Sequence, residues 1–554
     1  NYFADISYFT QDGNLGKLDY NRWNYRAGVD VKVSKWLKAN LTVSGDYGKK
    51  NTPNVKVGGT SDEKDYNLLL TRPYYIPEEV NGNPIAAYGI SNTEANGNQN
   101  YSYSVLQNSG DYSRNMTSNL SVNGSVEYDF GWNEILKGLK FKFSYSKSIN
   151  SDKNNQYGSE YTLYRLINRS GSGSHLYTPV SGQDYDGIIS EDNFRSMTIS
   201  NGSPSYLSRN MNRTDNYQVN FTASYARNFG AHHLGGLFSI EKSEAESEYL
   251  YGYVSDPYEF TTGQSNSAEA NTMTTTFTRS ESGTMSYIGR LNYAYADRYL
   301  FEVLLRSDSS TKFAPENYWG LFPSASLGWI ISQESWMEKF KWVDYLKVRA
   351  SFGLTGRDNT APWQWMQVYA QDANKGPMFG TSISNGTDNR ITINKNNSAV
   401  NRDVHWDKSY KANFGVDLTT LNNRLALNLD AYYVQNREML MNISQSVPGI
   451  VGTQSAATNL GEMDNYGVEL SATWRDKIGK DFKYKIGINT GYTDNKVLVM
   501  DWETEYLYRQ ITKNHRSDIG TWGMQSIGMF RSFQDIEEYF AKYNITSYMG
   551  MTKD

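Results

Sequence analysis

The chain has 554 residues, no cysteine and a formal net charge of −5, which leaves no disulfide framework, no thiolate metal site and no basic surface for nucleic acid. Hydrophobic residues are 38% and aromatic residues 14%, with 44 Tyr and 46 Gly; few aliphatics and many rings suit sheets with one buried face and amphipathic rings at interfaces. Mean hydropathy is −0.66 and no apolar run reaches the length of a membrane helix, which excludes helical spans but not a β-barrel, whose strands hide their hydrophobicity in alternation.

The first 33 residues read as a hairpin. Ala27, Val29, Val31 and Val33 alternate with Gly28, Asp30 and Lys32, and after a tight link at Ser34 to Trp36 the alternation returns with Leu37, Ala39, Leu41 and Val43. Successive strand side chains point to opposite faces, so each such segment has one greasy and one wet side. Residues 50–114 lose this period and become rich in Asn, Gly, Ser and Pro, the composition of a long functional loop. Within it Asn81-Gly82-Asn83-Pro84 has turn chemistry rather than strand chemistry.

Strands resume over Leu120 to Tyr128 and Leu139 to Tyr145, joined by a short link at Gly131 to Gly138. Residues 151–213 read as another long polar loop, followed by a strand through Tyr217, Val219, Phe221, Ala223 and Tyr225 and a short link at Asn228 to His233. Residues 251–282 read as a third long loop. The next strands carry the strictest alternation: Tyr299, Phe301, Val303 and Leu305; then Ala325, Leu327, Trp329 and Ile331; then Leu346, Val348, Ala350, Phe352 and Leu354. Between them the spacing predicts a short turn near Ala314 and a helical turn after Ser332, with Ser332 as N-cap and Trp336 and Phe340 on one face.

Residues 359–404 form a further long loop. Ala412 to Leu418 then pairs with Leu425 to Ala431 through Leu421-Asn422-Asn423, and strands follow at Tyr466 to Trp474 and Phe482 to Ile488. Ser532 to Asn544 is a short helix with Asp535 at the capping-box position. Connections thus alternate short and long. A soluble sandwich has no reason to gather its long loops at one end, whereas outer-membrane barrels join strands by short periplasmic turns and long extracellular loops.

Chemistry-bearing residues are dispersed. The five histidines (His175, His232, His233, His405, His515) lack metal-ligand spacing, and Asp184, Asp186, Glu191 and Asp192 match no calcium loop. Glu302, Asp308, Asp417, Asp430 and Glu469 recur on the wet faces, with Lys347, Arg349, Lys483 and Lys485 interspersed; they make an interior wet and pair with one another or with a plug. No catalytic constellation, metal site or cofactor site emerges. Trp329 and Trp474 end apolar stripes, as interfacial rings do. Trp319, Trp363 and Trp365 lie in or beside outer loops, where rings either stack on sugars and apolar ligand faces or pack the loop; these three are the ligand-binding candidates.

Three blocks carry a family resemblance: RSDSSTKF (Arg306 to Phe313), WGLFPSASLGW (Trp319 to Trp329) and LKVRASFGLTGRD (Leu346 to Asp358). In this order and spacing the chain resembles the barrel of the SusC/RagA family, the TonB-dependent outer-membrane transporters of the Bacteroidetes. The turn at Asn228 to His233, the strand Asn465 to Leu470 and the block Gly523 to Phe530 fit the same pattern. The family's usual Arg-Asp-Gly-Ser-Ser is Arg306-Ser307-Asp308-Ser309-Ser310 here, a departure expected to alter a turn rather than the resemblance.

The resemblance implies an all-β, transmembrane antiparallel barrel in the outer membrane of a Gram-negative cell, with about 15 of about 22 strands present. Residues 1–554 would then be an incomplete barrel domain, the plug domain preceding Asn1 and the last strands following Asp554. The implied function is active, TonB-dependent import of a large nutrient, an oligosaccharide or a peptide. A SusD-like surface lipoprotein would close the mouth, TonB would pull on the N-terminal region, and lipid and lipopolysaccharide would surround the wall. The alternative is a non-transporting scaffold in an outer-membrane complex. Neither reading includes an enzyme.

Overall fold

The computed structural model describes residues 1–13, 18–54, 77–86, 102, 105, 108, 110–166, 194–200, 205–257, 273–367, 369–373, 383–384, 387–388, 391–395, 400–443, 456–501, 511–518, 520, 525, 528–545, 547–548 and 551–552. Fifteen strands form one sheet: β1 (Tyr2–Asp12), β2 (Asp19–Lys32), β3 (Leu37–Thr52), β4 (Tyr112–Asp129), β5 (Leu139–Gly158), β6 (Tyr206–Phe229), β7 (His232–Ser255) and β8 (Met273–Tyr295). They continue with β9 (Tyr299–Ser310), β10 (Trp319–Ile330), β11 (Val343–Arg357), β12 (Asp407–Thr420), β13 (Leu425–Met441), β14 (Thr458–Ile478) and β15 (Phe482–Val499). Every strand pairs antiparallel with its sequence neighbours, as in an up-and-down barrel wall. Among the described residues β1 and β15 do not pair with each other.

The register runs unbroken from β1 to β10, so one parity of residues faces outward throughout. Val348, Phe352, Leu427 and Leu429 share that outward parity, while Arg349, Asp417 and Asp430 point the other way. Rings border the outward face in two belts. The lower belt stacks Tyr295 on Tyr299 and Tyr299 on Trp329, both at 6.4 Å between centroids. Trp474 joins it, donating its Nε1–H to Tyr484 Oη at 3.4 Å. The upper belt holds the Tyr287–Trp319 stack at 5.7 Å and the Tyr433–Tyr466 stack at 6.5 Å. From Trp319 to Trp329 a strand rises roughly 34 Å, which at the usual barrel tilt spans about 25 Å of membrane normal, the height of an apolar band.

Several strands outrun the alternation in their sequence. Residues 151–158, 206–213, 251–255 and 273–282 are strand, not loop. Above the upper belt both faces meet water, so hydropathy no longer alternates although the backbone ladder continues. The turn at Asn81-Gly82 is present, with φ of 52° and 81°, between the two-residue strands Glu79–Val80 and Asn83–Pro84. The link after β10 holds two 3₁₀ turns, Ile331–Gln333 and Ser335–Lys339, with Ile330 and Glu334 rather than Ser332 at the cap positions and no side-chain cap bond. Glu334 serves instead as an acceptor for Tyr299 Oη (2.7 Å) and Trp329 Nε1 (3.1 Å), tying the turn to the lower belt.

The helix α1 (Phe533–Tyr543) has Ser532 as N-cap, a reciprocal bond with Asp535, and Asn544 in the left-handed conformation at its end. In the first turn the Asp535 N–H donates to the Ser532 hydroxyl at 3.1 Å. Ser532→Ala is expected to destabilise α1 by about 1 kcal/mol, read as faster hydrogen exchange over residues 533–537; unchanged exchange would remove the cap from the explanation.

Candidate functional site in the barrel wall and its outer rim

The concave face carries paired charges. Arg306 donates to Asp308 at 2.7 Å and to Ser286 Oγ at 3.1 Å, and its guanidinium lies 3.6 Å from Glu241. Arg349 donates to Asp430 at 2.7 Å, Asp417 at 3.3 Å and Asn413 at 3.4 Å. The guanidinium crosses β12 where Gly415 sits; a Cβ there would lie 2.4 Å from Arg349 Cζ. Arg349 also borders a cavity of about 600 Å³ lined by His233, Asn292, Glu302 and Lys347 together with Leu300 and Leu327. Among the described residues Lys483 and Lys485 have no carboxylate partner.

At the outer rim β10 and β11 form a fork. They pair only between Ser324–Gly353 and Ile330–Lys347. Above that point an aromatic wedge of Phe313, Phe322 and Trp406, all buried, fills the gap, flanked by Tyr318, Leu354 and Val404. Trp406 lies 5.3 Å from the Phe313 ring and 5.4 Å from the Phe322 ring, and donates its Nε1–H to the Tyr318 carbonyl at 2.9 Å. Gly356 leaves room for the wedge, since a Cβ there would come within 2.3 Å of the Phe322 ring.

Three segments meet around this wedge. Asp358 accepts from Ser310 Oγ at 2.8 Å and pairs with Lys312 at 3.3 Å. Arg402 grips Glu316 with two bonds of 2.9 and 3.0 Å, and its carbonyl accepts from Asn317 Nδ2. The same guanidinium lies 5.2 Å over the Trp365 ring. Bidentate pairing holds the Glu316 carboxyl below its ordinary value of 4.5. Because the folded pKa is depressed, the tie is complete above that value and is lost as pH falls through the lowered one. Exchange over residues 311–318 should therefore quicken in that acidic window once the intrinsic rate is corrected for. Glu316→Gln should show the same looseness at neutral pH; a variant indistinguishable from wild type would refute the tie.

The three candidate tryptophans fall in different places. Trp319 begins β10 on the outward parity, stacked on Tyr287 in the upper belt rather than facing the lumen. Trp365 is half-buried against Arg402. Trp363, 6.1 Å from Trp365, has φ of 65° and is 43% exposed, so it presents an open ring at the rim. The structure brings Trp363 and Trp365 together and leaves Trp319 apart. His405 lies 2.8 Å from Glu438, which also meets Lys408 at 2.8 Å; His233 lies 3.3 Å from Asp297 and His232 bonds Tyr293 Oη at 2.7 Å. No group of three or more metal-ligating side chains occurs among the described residues. His175 and the acidic run Asp184 to Asp192 lie outside the described residues, as does half of the block Gly523 to Phe530.

An antiparallel wall with a ringed apolar band outside and paired ions inside defines an outer-membrane β-barrel. Residues 54–523 match the family model "TonB dependent receptor-like, beta-barrel", and the chain belongs to that family. It is 24% identical over 512 residues to the TonB-dependent receptor P3 of Formosa agariphila, covering 90% of this chain and 44% of that protein. It is 31% identical over 219 residues to the TonB-dependent receptor SusC of Bacteroides thetaiotaomicron, covering 38% of this chain and 20% of that one. The RagAB peptide importer in its open-open state superposes with a TM-score of 0.70 at 20% identity, over 91% of this chain and 49% of that one. The chain spans less than half the length of these curated relatives. These likenesses agree with the SusC/RagA resemblance in the sequence and with a place in the outer membrane. The family is one of receptors and transporters.

Proposed function

We propose that this chain is the wall of a TonB-dependent importer of a large nutrient, an oligosaccharide or a peptide. The observation that carries the reading is the concave face, where Arg306 and Arg349 are neutralised by neighbouring carboxylates. Charges satisfied within the wall leave a polar surface that holds no passing solute tightly. A solute too large for an open pore needs an energised gate, and a TonB-pulled plug supplies one. Among the described residues β1 and β15 each have one edge without a strand partner, although Val497 exchanges backbone bonds with Asn514 and His515; this supports further strands closing the barrel, since an open edge in lipid costs several kcal/mol per unsatisfied backbone group. A SusD-like lipoprotein closes the mouth above the rim, where Trp363 and Trp365 meet ligand or lid. The wall itself carries out no covalent chemistry. RagAB, with the same fold, is a peptide importer, which supports the peptide half of the reading.

The test is uptake by cells that depend on the full-length protein, given labelled peptide and oligosaccharide mixtures. Import that stops when a protonophore collapses the inner-membrane gradient is expected. Import that persists without the gradient, or cells whose uptake is unchanged by deletion, would overturn the proposal.

A further inference from the structure

Residues 401–406 form a strap along the outer rim, tied to strands that are far apart in the sequence. Toward β10, Arg402 grips Glu316 and its carbonyl accepts from Asn317. Val404 packs on the aromatic wedge that fills the β10–β11 fork, and Trp406 is part of that wedge. Toward β14, Asn401 Nδ2 donates to the Ala457 carbonyl at 3.0 Å and the His405 N–H donates to Asn459 Oδ1 at 3.1 Å. Asn459 Nδ2 in turn donates to the carbonyls of His405 at 2.9 Å and of Glu438 at 2.7 Å.

The His405 ring is held between two acceptors. Nδ1 lies 2.7 Å from the Asp403 carbonyl oxygen and Nε2 lies 2.8 Å from a Glu438 carboxylate oxygen. Neither oxygen has a proton to give: burial pushes the Glu438 carboxyl up, but bonds from Lys408 and His405 outweigh it and hold the group below its ordinary value of 4.5. Two acceptors require two N–H donors, which only the imidazolium has; either neutral tautomer turns a lone pair on one oxygen. Glu438 itself has φ of 55°, at a shift in the β13–β14 register. That backbone is costly for a residue with a Cβ and persists only where its surroundings fix it. The other charges near the ring are Lys408, 2.8 Å from the same carboxylate, and the buried Asp407, which faces Arg357 at 3.5 Å and accepts from the Leu440 N–H at 2.9 Å. Arg437 is turned to Asp464 at 2.7 Å.

We propose that residues 401–406 are a proton-dependent clasp: the His405 imidazolium fastens the strap to the Glu438 bulge of β13, and loss of its proton frees that side of the strap. A bonded imidazolium contributes while it is charged, and the contribution is lost as pH rises; imidazole is the side chain that changes charge between about pH 5 and 8. The Arg402–Glu316 tie works in the opposite sense, since it is lost as pH falls. The strap is therefore fastened on both sides only in a window between the two. Because Arg402 packs on the Trp365 ring, the hold of the strap reaches the candidate rim site. The clasp stands apart from the import reading, and its failure would leave that reading untouched.

The test follows amide hydrogen exchange in the full-length protein in detergent, from about pH 5 to about pH 9, with the intrinsic rate corrected for. Exchange over residues 401–406 and 437–441 should quicken by on the order of tenfold as the ring discharges, while residues 311–318 stay protected. The charge on the ring is read in the same samples from its Cε1 carbon resonance, which should shift over the same pH range. His405→Gln should be loose over 437–441 throughout and lose the pH dependence, and Glu438→Gln should do likewise. Lys408→Met should loosen the bulge yet keep the pH dependence, which a purely structural role for His405 would not give. Wild-type exchange that is flat over this range would overturn the proposal without any variant having to fold. So would a ring that discharges while the strap stays protected, or a His405→Gln profile that rises with pH as wild type does.

Discussion

Leu429→Lys is expected to destabilise the barrel by about 2–4 kcal/mol, whereas Asn428→Lys should cost little. Leu429 is 42% exposed on the outward face and lies midway along β13 between the Trp474 level, opposite Leu425, and the Tyr433–Tyr466 stack. A lysine there places its ammonium at the centre of the apolar band, too far from either ring belt to reach water easily. The neighbouring residue points inward, directly opposite Asp417, where a cation gains a partner. Folding into vesicles followed by denaturant titration measures both. Equal losses at the two positions would mean that the outward parity is not the lipid face.

Trp406→Ala is the second substitution with a large expected effect, about 3–5 kcal/mol. The indole is buried among Phe313 and Phe322 in the fork between β10 and β11 and satisfies the Tyr318 carbonyl. No backbone ladder crosses that gap above Ser324–Gly353, so removing the ring leaves a void that only loop collapse can fill. Trp363→Ala, by contrast, removes an exposed ring and should change stability by less than about 0.5 kcal/mol. A Trp406 variant as stable as wild type would show that the fork is held by something other than its wedge.

How much of this was legible in the sequence follows from where water lies. Where one face meets lipid, as in Ala27 to Val33 or Ala412 to Ala431, strict alternation marks the strand and its register. Where strands rise clear of the membrane, as at residues 151–158 and 273–282, both faces are wet and a strand is spelled like a loop. The helix α1 was readable because its capping box is local, Ser532 and Asp535 lying three residues apart. The rim was not. Arg402 meets Glu316 86 positions away, and Trp406 meets Phe322 across the fork, contacts that exist only once the sheet has assembled. Trp319 was read as a ring in or beside an outer loop; its place in the upper belt depends on Tyr287, two strands away in the sheet. The candidate site therefore emerged from the sequence as three aromatics in or beside outer loops; the structure sets Trp363 beside Trp365 at the rim and Trp319 against Tyr287 in the upper belt.

The most direct test of the lipid-out, water-in wall uses the absence of cysteine from residues 1–554. Single cysteines at successive positions from 425 to 433 can each carry a nitroxide in the reconstituted protein, with collision rates measured against oxygen, which concentrates in lipid, and against a water-soluble nickel chelate. The two rates should oscillate out of phase with a period of two residues, oxygen highest at 427, 429 and 431 and nickel highest at 426, 428 and 430. Rates that rise and fall together, or an oxygen maximum at the even positions, would contradict the barrel wall described here.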